Sequence, residues 1–485
     1  MRKAFSHQLR LDGGNVLDVV LNLNCRDEII PILKGLQHVY AKPELRDKVV
    51  NLIEADVLGK VQSERGRTGL DYWHILVLAS VRLGCHLDYD KLQDLAENHH
   101  ALRGIMGVGA YDETAFSWKR IRDNVCLLKP ATIDAINELI VGAGHVLRPE
   151  AIEDVRADSF VVETNIHWPS ESSLIRDGIT TLIRLCEPVA EAMALSGWRQ
   201  SEHLLQKVRN QAREIDRIAS KKGPNYQSKI KQLYKKLLKR SGQILEKVRE
   251  VQAALLVIGD PKSPSPQYLE IKSFLDNTER VRDTARRRVL LGEKVPNSDK
   301  LFSLFELHTQ LYKRGKAGDP VQFGRLVFIA EDAAGFIIHH HIMPRESGDK
   351  DVAVAQARMM QEKYQNGIKR MSLDRGFHSP ENQRELAKIV AEPCLPKPGY
   401  KQAAEQEREA SVTFHVSRRR HAGVESAIGA LQAGNGLKRC RDKTELGFER
   451  YVALGVLGRN LHVLGKLVIA AEDTDCEAAK TLRAA

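Results

Sequence analysis

Between residues 204 and 256 apolar side chains recur three and four positions apart, and no other feature constrains the fold of this chain as much. Leu205, Val208, Ala212, Ile215 and Ala219 form one run; Ile230, Leu237, Ile244, Val248, Val251 and Leu255 form a second. Such spacing lines one stripe of a helix, as in the seam of a coiled coil. The breaker Gly223-Pro-Asn225 separates the runs, so the spacing predicts two helices folded back as an antiparallel hairpin. The hairpin falls inside a helical stretch of roughly 172–300 that interrupts β-prone sequence.

On either side of that insertion the pattern changes. Val155, Phe160, Val161 and Val162 make a β-prone run that ends at Trp168-Pro169. Strand-like runs return at Phe323–Ala330 and Gly335–Met343, with Glu331–Gly335 as the turn. A helix over about 350–364, a strand ending at Asp374, another helix, the run Ile389–Leu395 and a helix carrying Glu425 follow. This order suits an α/β ribonuclease-H-like domain, a mixed sheet flanked by helices, whose strand ends meet at one edge.

Residues from about 43 to 150 read as successive helices. Tyr72–Leu83 has the apolar density of a buried helix, and Asp112 is placed to cap a helix carrying Phe116, Ile121 and Val125. Lys119, Arg120 and Arg122 lie on its polar face, where either DNA or solvent suits them. The expected organisation is an all-α amino-terminal DNA-binding or assembly domain (1–150), a catalytic domain (151–190 with 300–470), the hairpin insertion (191–299) and a tail (471–485).

The chain carries +11 at neutral pH with pI near 9.2, which favours a polyanionic partner. Fourteen Lys and Arg against four acidic residues over 207–250 leave that segment at +10, nearly the whole excess. Excess of one sign points to phosphate contact or a partner, whereas a solvated face needs only balanced charge. Lys231, Lys235 and Lys239 represent this arm.

Seven scattered cysteines with no Cys-x-x-Cys pair argue against a disulfide framework or a zinc site. The amino terminus lacks the apolar run of a signal peptide. The apolar stretch Tyr451–Ala471 is interrupted by Arg459, Asn460, His462 and Lys466, which marks a core helix, not a bilayer span. No membrane partner and a cytoplasmic, nucleoid-associated location are expected.

Three acidic residues stand in distinct contexts: Asp158 in a strand-like run, Asp374 before Arg-Gly-Phe377, and Glu425 in a helix whose buried face is Val424, Ile428 and Leu431. Carboxylates suit Mg²⁺ or Mn²⁺, and two such ions can clamp the attacking and leaving oxygens of a phosphodiester. Like charges brought this close need a cation between them.

At these residues the chain resembles the DDE transposases of bacterial insertion sequences, especially the ISNCY group. The stretches that carry the resemblance are Arg156-Ala-Asp-Ser-Phe-Val-Val-Glu-Thr-Asn-Ile-His-Trp-Pro169, Gly315-Lys-Ala-Gly318 through Phe323-Gly324, Asp374-Arg-Gly-Phe377, Val424-Glu-Ser-Ala-Ile428 and Gly447–Asn460. The resemblance implies metal-dependent cleavage at transposon ends and transfer of the 3′-hydroxyl into target DNA. It implies Asp158, Asp374 and Glu425 as catalytic metal ligands for two Mg²⁺ ions, with Mn²⁺ as a substitute. It also implies double-stranded DNA, both ends and target, as the partner of a homodimer or larger assembly. Related enzymes often carry Tyr, Arg and Lys at offsets −7, −4 and +7 from the glutamate; here Arg418, His421 and Gln432 stand there. Phosphate contacts are therefore sought among Arg418, Arg419, Arg420, Lys438, Arg439 and Arg441, with Lys119 and Arg122 in the amino-terminal region.

Trp168 is either a platform for an unpaired base or a core residue. His339-His-His341 cannot share one ion on a strand, because neighbours face opposite sides. Glu163 and Asp177 are weaker ligand candidates. A nuclease without strand transfer and a non-catalytic DNA-binding scaffold are the competing functions.

Overall fold

A computed structural model describes residues 15–58, 69–109, 114–258, 263–313 and 321–484. Asp112 and the motif Gly315–Gly318 lie outside the described residues. The chain divides into two compact units, one made of Met1–Asn165 with Arg325–Ala485 and the other of Ile166–Gly324.

The first unit begins with α1 (Ile29–Ala41), α2 (Pro43–Leu58), α3 (Tyr72–Gly84), α4 (Tyr89–Asn98), α5 (His100–Ile105), α6 (Trp118–Val125) and α7 (Pro130–Leu147), then β1 (Asp154–Thr164). The second holds α8 (Glu171–Ala192), α9 (Ser201–Lys221), α10 (Tyr226–Ile258), α11 (Pro266–Ala285) and β2 (Gln310–Tyr312). The strand β3 (Gln322–Glu331) begins at its end. The first unit then resumes with β4 (Ile337–Ile342), α12 (Asp349–Lys363), β5 (Arg370–Leu373), α13 (Pro380–Ile389) and β6 (Glu392–Cys394). Last come α14 (Ala403–Ala410), α15 (Val412–His421), α16 (Gly423–Ala433), β7 (Arg439–Cys440) and α17 (Glu445–Ala484).

The protein is mostly helical, with one mixed sheet of seven strands flanked by helices. In that sheet β3, β1, β5 and β6 are successive neighbours. β5 is parallel to both β1 and β6, β4 is antiparallel to β3, and β7 pairs in parallel with the end of β1.

The helix α17 explains why the expected 1–150 boundary does not appear. It packs against α1, α3 and α7, so the amino-terminal helices share a core with the sheet-bearing part of the chain. Its segment Glu445–Thr474 holds an 18-residue window apolar enough to cross a membrane, yet 72% of that window is buried inside the protein. Asn460 uses the interruption in the apolar run: its side chain donates to Ile337 O and Asn137 Oδ1 and accepts from Ile337 N, all at 2.8 Å. Three bonds offset the cost of burying one amide. Near the amino terminus, α6 starts at Trp118 under a Ser117 cap, so Phe116 precedes the helix, although it is fully buried as its pattern suggested.

In the second unit the hairpin forms as α9 and α10. Leu205, Val208, Ala212, Ile215, Leu237, Ile244, Val248 and Val251 are buried, while Ala219 is exposed at the turn end. The hairpin is not a free-standing pair. α8 and α11 pack on it, and the four helices share one core. Residues 171–190, assigned from sequence to the catalytic domain, therefore belong with the insertion. The interhelix packing is decided by side chains on α8 and α11 that no seam within 204–256 reports.

Candidate active site

Parallel pairing of β1 with β5 runs Asp154↔Arg370, Val155↔Met371, Arg156↔Ser372 and Ala157↔Leu373. One residue further each chain places an aspartate, Asp158 on β1 and Asp374 just past β5. Side chains alternate along a strand, so Asp154, Arg156 and Asp158 share a face with Arg370, Ser372 and Asp374. Two of the three expected carboxylates thus stand on neighbouring strands, in line and on one face.

Contacts from α15 identify what covers that face. Arg420 and Arg370 both donate to the buried Asp154, the latter at 3.1 Å. Arg156 Nη1 donates to Arg420 O at 3.1 Å, His421 Nδ1 lies 3.2 Å from Ser372 Oγ, and Arg418 Nη1 is 3.5 Å from Asp374 Oδ1. Next comes α16, whose first residue presses on the Arg156 guanidinium so closely that a Cβ on Gly423 would overlap it. The chain rejoins β1 where Glu163 N donates to Lys438 O at 3.1 Å and Cys440 pairs with Thr164. The segment from Gly423 to Lys438 therefore runs beside β1 in the same sense.

Glu425 is in the first turn of α16, where the helix dipole favours an acid. Val424, Ile428 and Leu431 are buried as the periodicity predicts, Ala427 is buried with them, and Glu425 is exposed beside them. Three carboxylates without thiol or imidazole are the donor set of a hard divalent ion. Among the described residues, no three His, Cys, Asp or Glu side chains are gathered closely enough to hold one ion. Asp158 and Asp374 supply the oxygen donors such an ion takes, while Glu425 is exposed and is not gathered with them into one cluster.

The surroundings set the charge balance. His421 is buried and its pKa is pushed down to about 4, chiefly by burial and then by the Arg418 charge, so it is a neutral hydrogen-bonding group at pH 7. Glu331 on β3 accepts from Arg156 Nε at 2.5 Å, with Arg459 4.0 Å away. Burial, the largest influence, together with the Asp332 charge leaves its pKa raised despite these two cations.

Most of the proposed phosphate-gripping cations are engaged within the protein. Arg420 is committed to Asp154, Arg439 bonds Glu163 at 2.9 Å, and Arg441 Nη2 is 2.7 Å from His86 Nε2. Sequence could not foresee these partners, because each is hundreds of residues away. Arg419 and Lys438 are exposed and form no ion pair with a described residue. Glu163 is accounted for by Arg439, and Asp177 by His167 at 2.6 Å and Arg176 at 3.0 Å. His339 bonds Gln356 at 2.7 Å, and burial holds both His339 and His340 neutral with pKa values down to about 4.

Trp168, in the second unit, is not a core residue: it is 69% exposed, its ring 5.2 Å from that of Phe323 in an edge-on contact. Lys231, Lys235 and Lys239 project from α10, exposed and without an ion pair to a described residue. In the first unit, Lys119 and Arg122 flank the Trp118 ring at 5.5 and 5.2 Å, and Arg122 pairs with Asp123 at 2.8 Å. Sequence reading names His421 only as a departure from the family pattern and does not single out Asp349. Gly348-Asp-Lys-Asp351 signals a helix start, but nothing local says what that start touches.

No protein-family model, curated protein or solved structure matches this chain.

Proposed function

We propose that this protein is a DDE-type transposase that cleaves DNA at the ends of a mobile element and joins the freed 3′-hydroxyl to target DNA. The observation that carries the reading is the placement of Asp158 and Asp374, one step beyond paired Ala157 and Leu373 on adjacent parallel strands. The strand neighbours β4, β3, β1, β5 and β6, with an antiparallel β3–β4 pair beside three parallel strands, support a ribonuclease-H-like sheet.

Asp158, Asp374 and Glu425 would hold the metal, and a bound pair of Mg²⁺ ions would supply charge neutralisation at the phosphodiester. Water is the nucleophile of the first step, whose product keeps a 3′-hydroxyl. That hydroxyl attacks a target phosphodiester in the second step and displaces another 3′-oxygen, so one bond forms as one breaks. Arg419 and Lys438 are free to contact backbone phosphates of duplex DNA. The α10 lysines and the α6 cations offer further sequence-independent contacts. Pairing of two element ends implies at least a dimer on DNA.

The test incubates the purified chain with a duplex spanning the DNA that flanks its gene, an acceptor plasmid and Mg²⁺ or Mn²⁺. Sequencing should recover flank 3′ ends joined to the plasmid. Cleavage without joining would favour a nuclease lacking strand transfer, and binding without cleavage would favour a scaffold.

A further inference from the structure

We propose that Asp349 is a positioning residue that fixes the spacing of Asp158 and Asp374; the proposal rests on reading those aspartates as metal ligands. Direct pairing of β1 with β5 ends at Ala157 and Leu373, so the strands themselves do not set where the next two side chains stand. The start of α12 does. Ser159 Oγ, immediately after Asp158, donates to Asp349 Oδ1 at 2.5 Å. The other oxygen of the same carboxylate sits against Gly376, two residues after Asp374, where an added Cβ would stand 3.1 Å from it.

A second tie comes from α13. Asn382, buried, donates through Nδ2 to Lys350 O and to Phe377 O, both at 2.8 Å. Phe377 is fully buried, its ring 5.9 Å from that of Phe328. The first turn of α12 is thus bonded to β1 just beyond Asp158 and to the chain just beyond Asp374. Because Ser159 and Asp158 face opposite sides of β1, Asp349 lies across the sheet from Asp158 and acts through the backbone.

Metal affinity depends steeply on such supporting contacts. The measurement is Mn²⁺ binding to the full DNA-free chain, read from the electron paramagnetic resonance of free Mn²⁺, with thermal unfolding confirming that each variant is folded. Ser159→Ala and Asp349→Ala should raise the Mn²⁺ Kd about tenfold or more. Asp349→Asn keeps an acceptor for the Ser159 hydroxyl and should stay within about threefold of the parent, since the contact is retained. Ser159→Ala, the smaller change, decides the matter if Asp349→Ala does not fold. Unchanged affinity in Ser159→Ala and Asp349→Ala would overturn the proposal, and so would a loss in Asp349→Asn equal to that in Asp349→Ala, which would mean charge and not position. Failure of the parent chain to bind Mn²⁺ would instead overturn the metal-site reading beneath it.

Discussion

Gly465 on α17 lies so close to Pro31 on α1 that a Cβ there would stand 1.7 Å from the Pro31 carbonyl oxygen. The obstacle is backbone, which cannot turn aside as a side chain can. Gly465→Ala should therefore destabilise the first unit by about 1–3 kcal/mol, the usual cost of overpacking. Gly142→Ala, on α7 with no atom within 4 Å, should be neutral or stabilising by up to about 1 kcal/mol through helix propensity. Urea unfolding of the two variants measures both.

The same contact explains what could and could not be read from the sequence. β-prone apolar runs mark β1, β3 and β4, and the seam marks α9 and α10, because each pattern is a property of one segment and its own burial. The approach of α1 to α17 joins residues more than four hundred positions apart through two backbones, and glycine spacing alone does not announce it. Asp158 and Asp374 stand out by sequence context, and their common face follows from a register that only the folded sheet defines. Arg420 looked like a phosphate ligand because Asp154, its partner, carries no local mark. Asp349 was missed for the same reason.

Acid should destabilise the first unit as pH falls below about 6.5. His339, His340, His421 and His462 are each pushed from 6.5 down to about 4, in every case mainly by burial. The unfolded chain therefore takes up protons between pH 6.5 and 4 that the folded one refuses, and stability falls as pH falls through that window. Asp134, raised to about 6 by burial, works in the opposite direction over nearly the same range. It lies 3.5 Å from His340, whose other charged neighbours are Lys363 and His341. Four imidazoles outweigh the three carboxyls that burial raises, Asp134, Glu331 and Glu449, so the melting temperature should drop between pH 7 and pH 5. A constant or rising value would contradict this assignment of charge states.

Reversing Lys231, Lys235 and Lys239 to Glu should weaken binding to duplex DNA and flatten its dependence on salt. Each lost phosphate contact lowers the slope of log affinity against log salt by about 0.9. All three are exposed, so the triple variant should keep its fold. A fall in affinity at unchanged slope would mean that the lysines act other than by neutralising phosphates. No change in either would leave the amino-terminal helices as the principal DNA contact.

The most direct test of the account compares single isosteric substitutions in a cleavage assay on duplex DNA flanking the gene, with Mg²⁺ or Mn²⁺ present. Asp158→Asn, Asp374→Asn and Glu425→Gln each remove one carboxylate charge and no phosphate-binding cation. Each should lower cleavage about a thousandfold or more while leaving DNA affinity nearly unchanged. Glu163→Gln and Asp177→Asn, whose carboxylates are engaged by Arg439 and His167, should cleave close to the parent rate. Parent-like cleavage by any one of the first three would contradict the claim that Asp158, Asp374 and Glu425 act as one catalytic set.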